Sequence, residues 1–141
     1  GVLNINMPIL QPSELWVRTG RWDRYQASKT MLTTRNLHSG RDYGLAPTAE
    51  EVVTWLAAQE VQSYADLPVT FHQIGWKMRN EVRPHGGLLR GIEFDMSDAY
   101  SFDRDESGMR QSFELFRKMY HRIFTRVGLR QFIAVQGDAS L

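Results

Sequence analysis

Leu3, Ile5, Met7 and Ile9 alternate with Asn4, Asn6 and Pro8, the period of a half-buried strand. Pro8 cannot donate to a ladder, so the run is expected at a sheet edge or at a strand's end. Gln11-Pro12-Ser13-Glu14 predicts a turn into a short helix carrying Leu15 and Trp16. From Thr19 to Arg41 the chain is polar and punctuated by glycine, with a weak strand signal around Met31 to Thr34. Thr48 to Gln62 predicts the first long helix. Thr48 suits an N-cap, Glu51 completes a capping-box pattern, and Val52, Trp55, Leu56 and Gln59 follow helical spacing. Pro68 to Glu81 and Gly91 to Phe102 predict two extended segments around the loop signal Pro84-His85-Gly86-Gly87, an antiparallel hairpin with a large loop. Gly108 to Val127 predicts a second long helix. Phe113, Phe116, Met119, Tyr120, Ile123 and Val127 form a stripe assigned to the core, and Gly128 stands just past the end. Phe132 to Val135 predicts a last strand. Strands and helices do not alternate strictly, so the expected class is α+β with an antiparallel sheet flanked by helices.

Composition changes this picture little. The 141 residues, 42% hydrophobic and 23% charged, suit one globular domain, expected over 1–141 without linker or repeat. Lys plus Arg is 17 and Asp plus Glu is 16, a net charge of +1, so no global field points to nucleic acid or membrane. The absence of cysteine excludes a disulfide scaffold, a zinc ribbon and a thiol nucleophile within the chain, and it fits a reducing compartment. No apolar run approaches the roughly 20 residues of a membrane helix. No secretory leader is expected, and the missing initiator Met suggests a start removed or not captured.

Candidate chemistry concentrates between Lys77 and Phe94. Lys77, Arg79, Arg83 and Arg90 accompany a single acid, Glu81, up to Arg90. On a strand, Arg79 and Glu81 would share a face. An Arg fork there suits phosphate or carboxylate, and Gly86-Gly87 would let backbone approach a ligand. Phe94 could return over the same face and stack on a base. A solvated charged hairpin accounts for the same spacing equally well.

Met78-Arg79-Asn80-Glu81, a loop, then Arg90-Gly91-Ile92-Glu93-Phe94 resembles motif 2 of the class II aminoacyl-tRNA synthetases. Leu67-Pro68-Val69, Asn80 to Pro84, Gly87 to Arg90 and Asp98-Ala99-Tyr100-Ser101-Phe102 resemble the bacterial-type prolyl-tRNA synthetases in particular. Gly44-Leu45-Ala46-Pro47-Thr48-Ala49-Glu50-Glu51 resembles their proline-recognition loop, and Met7 to Pro12 with Glu14-Leu15-Trp16 the end of motif 1.

The resemblance implies activation of L-proline by ATP, with Mg2+ accompanying the nucleotide, and transfer to tRNA(Pro). Arg79 would hold the α-phosphate and the proline carboxylate and stabilise the transition state electrostatically. Thr48 and Glu50 would recognise proline, Glu50 pairing its ammonium. Glu81 would seat the adenine side, Leu88 and Leu89 would offer backbone to adenine, Phe94 would stack on it, and Arg90 would reach toward the distal phosphates. Thr48 also reads as a plain helix cap, and Glu50 as a favourable first-turn acid.

The resemblance further implies a cytoplasmic homodimer without membrane attachment, and motif 3 and an anticodon-binding domain beyond Leu141. Gln136-Gly137-Asp138-Ala139-Ser140 resembles the start of the connecting segment. Most of the motif 1 helix is expected before Pro8, so the chain is expected to be part of a catalytic core. Met78, Ile92, Asp95 and Ser97 depart from the family pattern and are expected to weaken nucleotide binding without altering the fold. Those departures, with the missing motif 3, also fit a binding-only relative for nucleotide or RNA. Asp103 to Gly108 followed by Glu114 satisfies an EF-hand loop pattern, but the strand before it and Arg110 at the usually apolar position argue against calcium. His38, His72, His85 and His121 show no ligand spacing.

Overall fold

The structure, a computed structural model, describes residues 1–135 and 137. The chain separates into two units, residues 1–102 and 103–141.

In the first unit the elements run β1 (Val2–Asn4), β2 (Leu10–Pro12), α1 (Ser13–Arg18), α2 (Arg21–Ala27), β3 (Leu32–Arg35), β4 (Asp42–Leu45), α3 (Glu50–Glu60), a 3-10 turn (Tyr64–Asp66), β5 (Val69–Met78) and β6 (Glu93–Phe102). They build two three-stranded sheets, ordered β1-β5-β6 and β2-β4-β3. Every pair is antiparallel except β1 with β5, so the first sheet is mixed rather than purely antiparallel.

The alternation from Leu3 to Ile9 survives in burial but not as one strand. Ile5, Met7 and Ile9 are half-buried between exposed neighbours, while the ladder stops at Asn4 and resumes at Leu10 around Pro8. Ile5 and Met7 pack with Leu56, Val69, Tyr100 and Phe102 on Val53, Ala57 and Phe71, the apolar core.

α2, β4 and the 3-10 turn lie where the sequence predicts no element. α2 has no apolar stripe, and its hold is tertiary. The Arg21 guanidinium lies 5.4 Å from the Trp16 ring centroid and 5.1 Å from that of Tyr25, and it donates to the Tyr25 hydroxyl at 2.6 Å and to Glu51 at 3.0 Å. β4 is four residues with Gly44 in the middle, facing both neighbouring strands. A Cβ at Gly44 would overlap Met31 Sδ, so a larger residue there would oblige the buried Met31 side chain to move.

α3 forms, but without the expected capping box. Ala49 is the N-cap and no side chain caps the helix. The Thr48 hydroxyl bonds the Glu50 carboxylate instead. Glu51, 4% exposed, takes hydrogen bonds from Arg21 and Thr19 rather than reaching back to the N-cap amide. A buried carboxylate gains more from a cation than from one amide.

The second unit is α4 (Glu106–Arg126) and the segment after it. Asp105 caps the helix by accepting Gly108 N–H at 2.8 Å, so the calcium-loop pattern is a helix start. At the other end Gly128, with φ +93°, donates to Thr125 O and Leu129 to Phe124 O, a Schellman close. The predicted stripe is present, but none of α4 is buried, so its assignment to the core is corrected. Phe132 to Val135 forms no strand; no ladder partner reaches it, and Phe132 packs against Phe124 and His121. The expectation for Gln136 to Ser140 lies outside the described residues, Gly137 apart. Among the described residues, no helix is long and apolar enough to cross a membrane, and no three His, Asp or Glu side chains converge as a metal site.

Candidate functional site

The β5–β6 hairpin sets the site by its register. Lys77 pairs with Phe94, Gly75 with Met96, Gln73 with Asp98 and Phe71 with Tyr100. Period-2 alternation puts these residues on one face, with Ile74, Trp76, Asp95 and Ser97 on the other. Asp95 and Ser97 therefore point away from the face that carries Phe94. Ser97 bonds His72 Nε2 across the strand at 3.1 Å.

At the core end of the inner face lies a polar network that sequence reasoning missed. Lys77, only 2% exposed, donates to Asp98 Oδ1 at 3.0 Å. Gln73 Nε2 donates to Asp98 Oδ2 at 2.9 Å, and the Tyr100 hydroxyl donates to the same oxygen at 2.7 Å. Gln73 Oε1 accepts Met7 N–H at 3.1 Å. Lys77 thus leaves the surface basic cluster to which its place in the sequence assigned it. The spacing carried a signal: Gln73 and Lys77 stand two and six residues from Phe71, an apolar core position. Burial, the bond to Asp98 and the nearby Glu50 charge push the Tyr100 phenol above its ordinary pKa.

The loop before α3 docks on the end of β5. Met78 N–H donates to Ala46 O and Arg79 Nε to Pro47 O, each at 3.1 Å. The Arg79 guanidinium lies 5.4 Å from the Phe94 ring centroid, a cation–π contact at the open end of the inner face. Four predicted residues, Thr48, Glu50, Arg79 and Phe94, are thereby gathered around residues 46–50. Glu50 is bonded by Thr48 and approached by Arg21 at 3.4 Å, and its side chain remains half exposed. Phe94 lies beneath Arg79, so stacking on another ring would use its remaining surface.

Glu81 does not share a strand face with Arg79, because β5 ends at Met78. Asn80 turns the chain by donating its main-chain and side-chain amides to Thr30 O and Lys29 O, both at 2.8 Å. Glu81 then accepts from Arg90 Nε at 2.7 Å and from Arg83 N–H at 3.1 Å. The Arg90 bond, then the Arg83 amide, hold its carboxyl below the ordinary glutamate value. The Glu81–Arg90 pair staples the base of the hairpin loop. Inside the loop His85 and Arg90 exchange backbone bonds, and Gly86 and Gly87 take φ of +69° and +63°. Leu88 and Leu89, 99% and 82% exposed, stand at its surface and contact none of the other predicted residues in the interactions described above.

The arrangement offers a cation, Arg79, tied to the loop that leads into the half-exposed Glu50 carboxylate, and a second cation, Arg90, carried by the hairpin loop. Such a pairing can grip an ammonium and a carboxylate or phosphate side by side.

A family model described as tRNA synthetase class II core domain (G, H, P, S and T) matches residues 32–140. The chain is 49% identical over 138 residues to the proline–tRNA ligase of Bordetella pertussis, covering 98% of this chain and 23% of that protein. It is 49% identical over 139 residues to that of Maridesulfovibrio salexigens, with 99% and 23% covered. Among solved structures, Giardia lamblia prolyl-tRNA synthetase in complex with prolyl-adenylate gives a TM-score of 0.79 at 20% identity, covering 89% of this chain and 26% of that one. The RNA binding domain of threonyl-tRNA synthetase from Cryptosporidium parvum gives 0.76 at 22% identity, covering 90% and 31%. At these identities the two structures speak for the fold. The chain spans about a quarter of the length of the curated relatives it matches.

Proposed function

The chain belongs to the class II tRNA synthetase core domain family, and we propose that it is part of the catalytic core of a proline–tRNA ligase. The observation that carries this reading is the seat of Arg79. Its Nε is held by Pro47 O, which brings the guanidinium beside the loop of Thr48 and Glu50. A cation for the amino-acid carboxylate and an anion for the ammonium then stand on one floor.

In this reading Glu50 pairs the secondary ammonium of proline and Thr48 fixes the direction of Glu50. Arg79 draws the proline carboxylate and the ATP α-phosphate together. Its fixed charge offsets the negative charge that grows as the carboxylate attacks phosphorus and pyrophosphate leaves. No protein nucleophile is required, since the substrate carboxylate forms the new bond. Phe94 and Glu81 bound the adenine side, with the backbone of Leu88 and Leu89, and Arg90 exchanges Glu81 for the distal phosphates. Magnesium enters with ATP as part of that substrate. The prolyl-adenylate named with the Giardia enzyme supports ATP as the activating substrate. Transfer to tRNA(Pro), a homodimeric full-length protein and a cytoplasmic location complete the proposal.

The test is proline-dependent ATP–pyrophosphate exchange by the full-length protein that contains this chain, with other amino acids as controls. Proline-specific exchange is expected, and Glu50→Ala is expected to weaken proline at least tenfold more than ATP. A wild-type protein that binds ATP without proline-dependent exchange would overturn the reading. Equal losses for both substrates in Glu50→Ala would remove the role given to Glu50.

A further inference from the structure

Residues 46–49 are tied to the hairpin by two bonds from the end of β5 and by one from β6. The bond from β6 is the Tyr100 hydroxyl, which accepts Ala49 N–H at 3.3 Å. Ala49 lies between Thr48 and Glu50 and is the N-cap of α3, where an amide lacks a helical partner. The Tyr100 proton is committed elsewhere, since the hydroxyl donates to Asp98 Oδ2. Asp98 is itself fixed by Gln73 and Lys77. The lone pair left to Tyr100 is thereby aimed, and Ala49 N–H meets it. The ring packs on Val53, Ala57 and Phe71, a task phenylalanine would do equally well. Packing therefore does not explain the hydroxyl.

We propose that Tyr100 is a positioning residue for the amino-acid substrate: through its hydroxyl, the buried Lys77–Asp98 pair sets the Ala49 peptide and so the direction of Thr48 and Glu50. This rests on the reading above that Thr48 and Glu50 hold proline. The phenol keeps its proton at working pH, as burial and Asp98 require, so the aim does not change across the neutral range.

Tyr100→Phe in the full-length protein tests it. The ring and its packing stay; the hydroxyl goes. The KM for proline in ATP–pyrophosphate exchange should rise about tenfold, equivalent to about 1.4 kcal/mol. The KM for ATP should stay within twofold. Backbone hydrogen exchange over residues 46–50 should accelerate, with the middle of α3 unchanged. Both readouts have to move together. An unchanged proline KM, an equal rise for ATP, or wild-type exchange over 46–50 would each overturn the positioning role. A wild-type protein with no proline-dependent exchange would instead sink the underlying functional reading, and the backbone exchange of 46–50 would still report whether the Tyr100–Ala49 tie exists.

Discussion

Replacing Lys77 by methionine tests the buried network most directly. Methionine keeps most of the apolar stem and deletes the charge. Asp98 then keeps two of its three donors, Gln73 and Tyr100, but loses the cation 3.0 Å away. Both side chains of the pair are almost excluded from water, at 2% and 9% exposed, so solvent cannot replace the lost partner. Removing one member of such a pair costs about 3–5 kcal/mol, and the two surviving donors place Lys77→Met near the lower end. Asp98→Asn is harsher. It leaves a buried ammonium without a counter-charge and turns an amide N–H2 toward groups that are themselves donors, so about 5 kcal/mol is expected. The double variant buries no charge and should cost about 2–3 kcal/mol less than the sum. Native-state hydrogen exchange of the β5 and β6 amides in the full-length protein reads these costs locally. A loss of about 3 kcal/mol speeds exchange on the order of 100-fold. Single variants that each cost under about 1 kcal/mol, with additive effects, would refute the claim that the pair is a coupled, desolvated unit.

Glu81 gives a pH prediction. Its folded pKa is lowered by Arg90, so the staple is fully present above the unfolded glutamate value and is lost as pH falls through the lowered folded value. The Arg90 Nε–H resonance should move over that acidic range, and Glu81→Gln should show the detached signal already at neutral pH; a pH-independent resonance in the wild type would sink the pairing. Calcium should have no site in α4, because Glu114 pairs with Arg117 at 2.9 Å inside a continuous helix. Calorimetric titration should give no binding heat at millimolar calcium, and a site weakened by Glu114→Gln would refute this.

The long elements were legible because their periodicity ran over many residues. Both long helices and the hairpin fall close to their expected spans, and Gly128 ends α4 as its position implied. What escaped was decided by contacts distant in sequence. α2 depends on Arg21 reaching Glu51, 30 residues away, beside the nearby rings of Trp16 and Tyr25. β4 is held by strands on both sides rather than by its own pattern. The capping box failed because Glu51 had a better partner 30 residues away. The candidate site was named through the resemblance, and the placement of its residues was not legible. Arg79 and Glu81, two apart in sequence, part company where β5 ends. Lys77, written among surface cations, turns inward to Asp98.

The hairpin's register also decides where this chain can change its length. One residue added to or removed from β6 would exchange its two faces beyond that point, bringing Ser97 and Ala99 inward and turning Asp98 and Tyr100 out. Lys77 would lose its counter-charge and Ala49 its acceptor in one step. The loop between Glu81 and Arg90 carries no such constraint, since doubling a flexible loop costs only about 0.6 kcal/mol. Insertions and deletions can therefore gather at the tip, between the two ends of the Glu81–Arg90 staple. The loop tip is free to diverge in length, while the paired strands that seat residues 46–49 must keep their count.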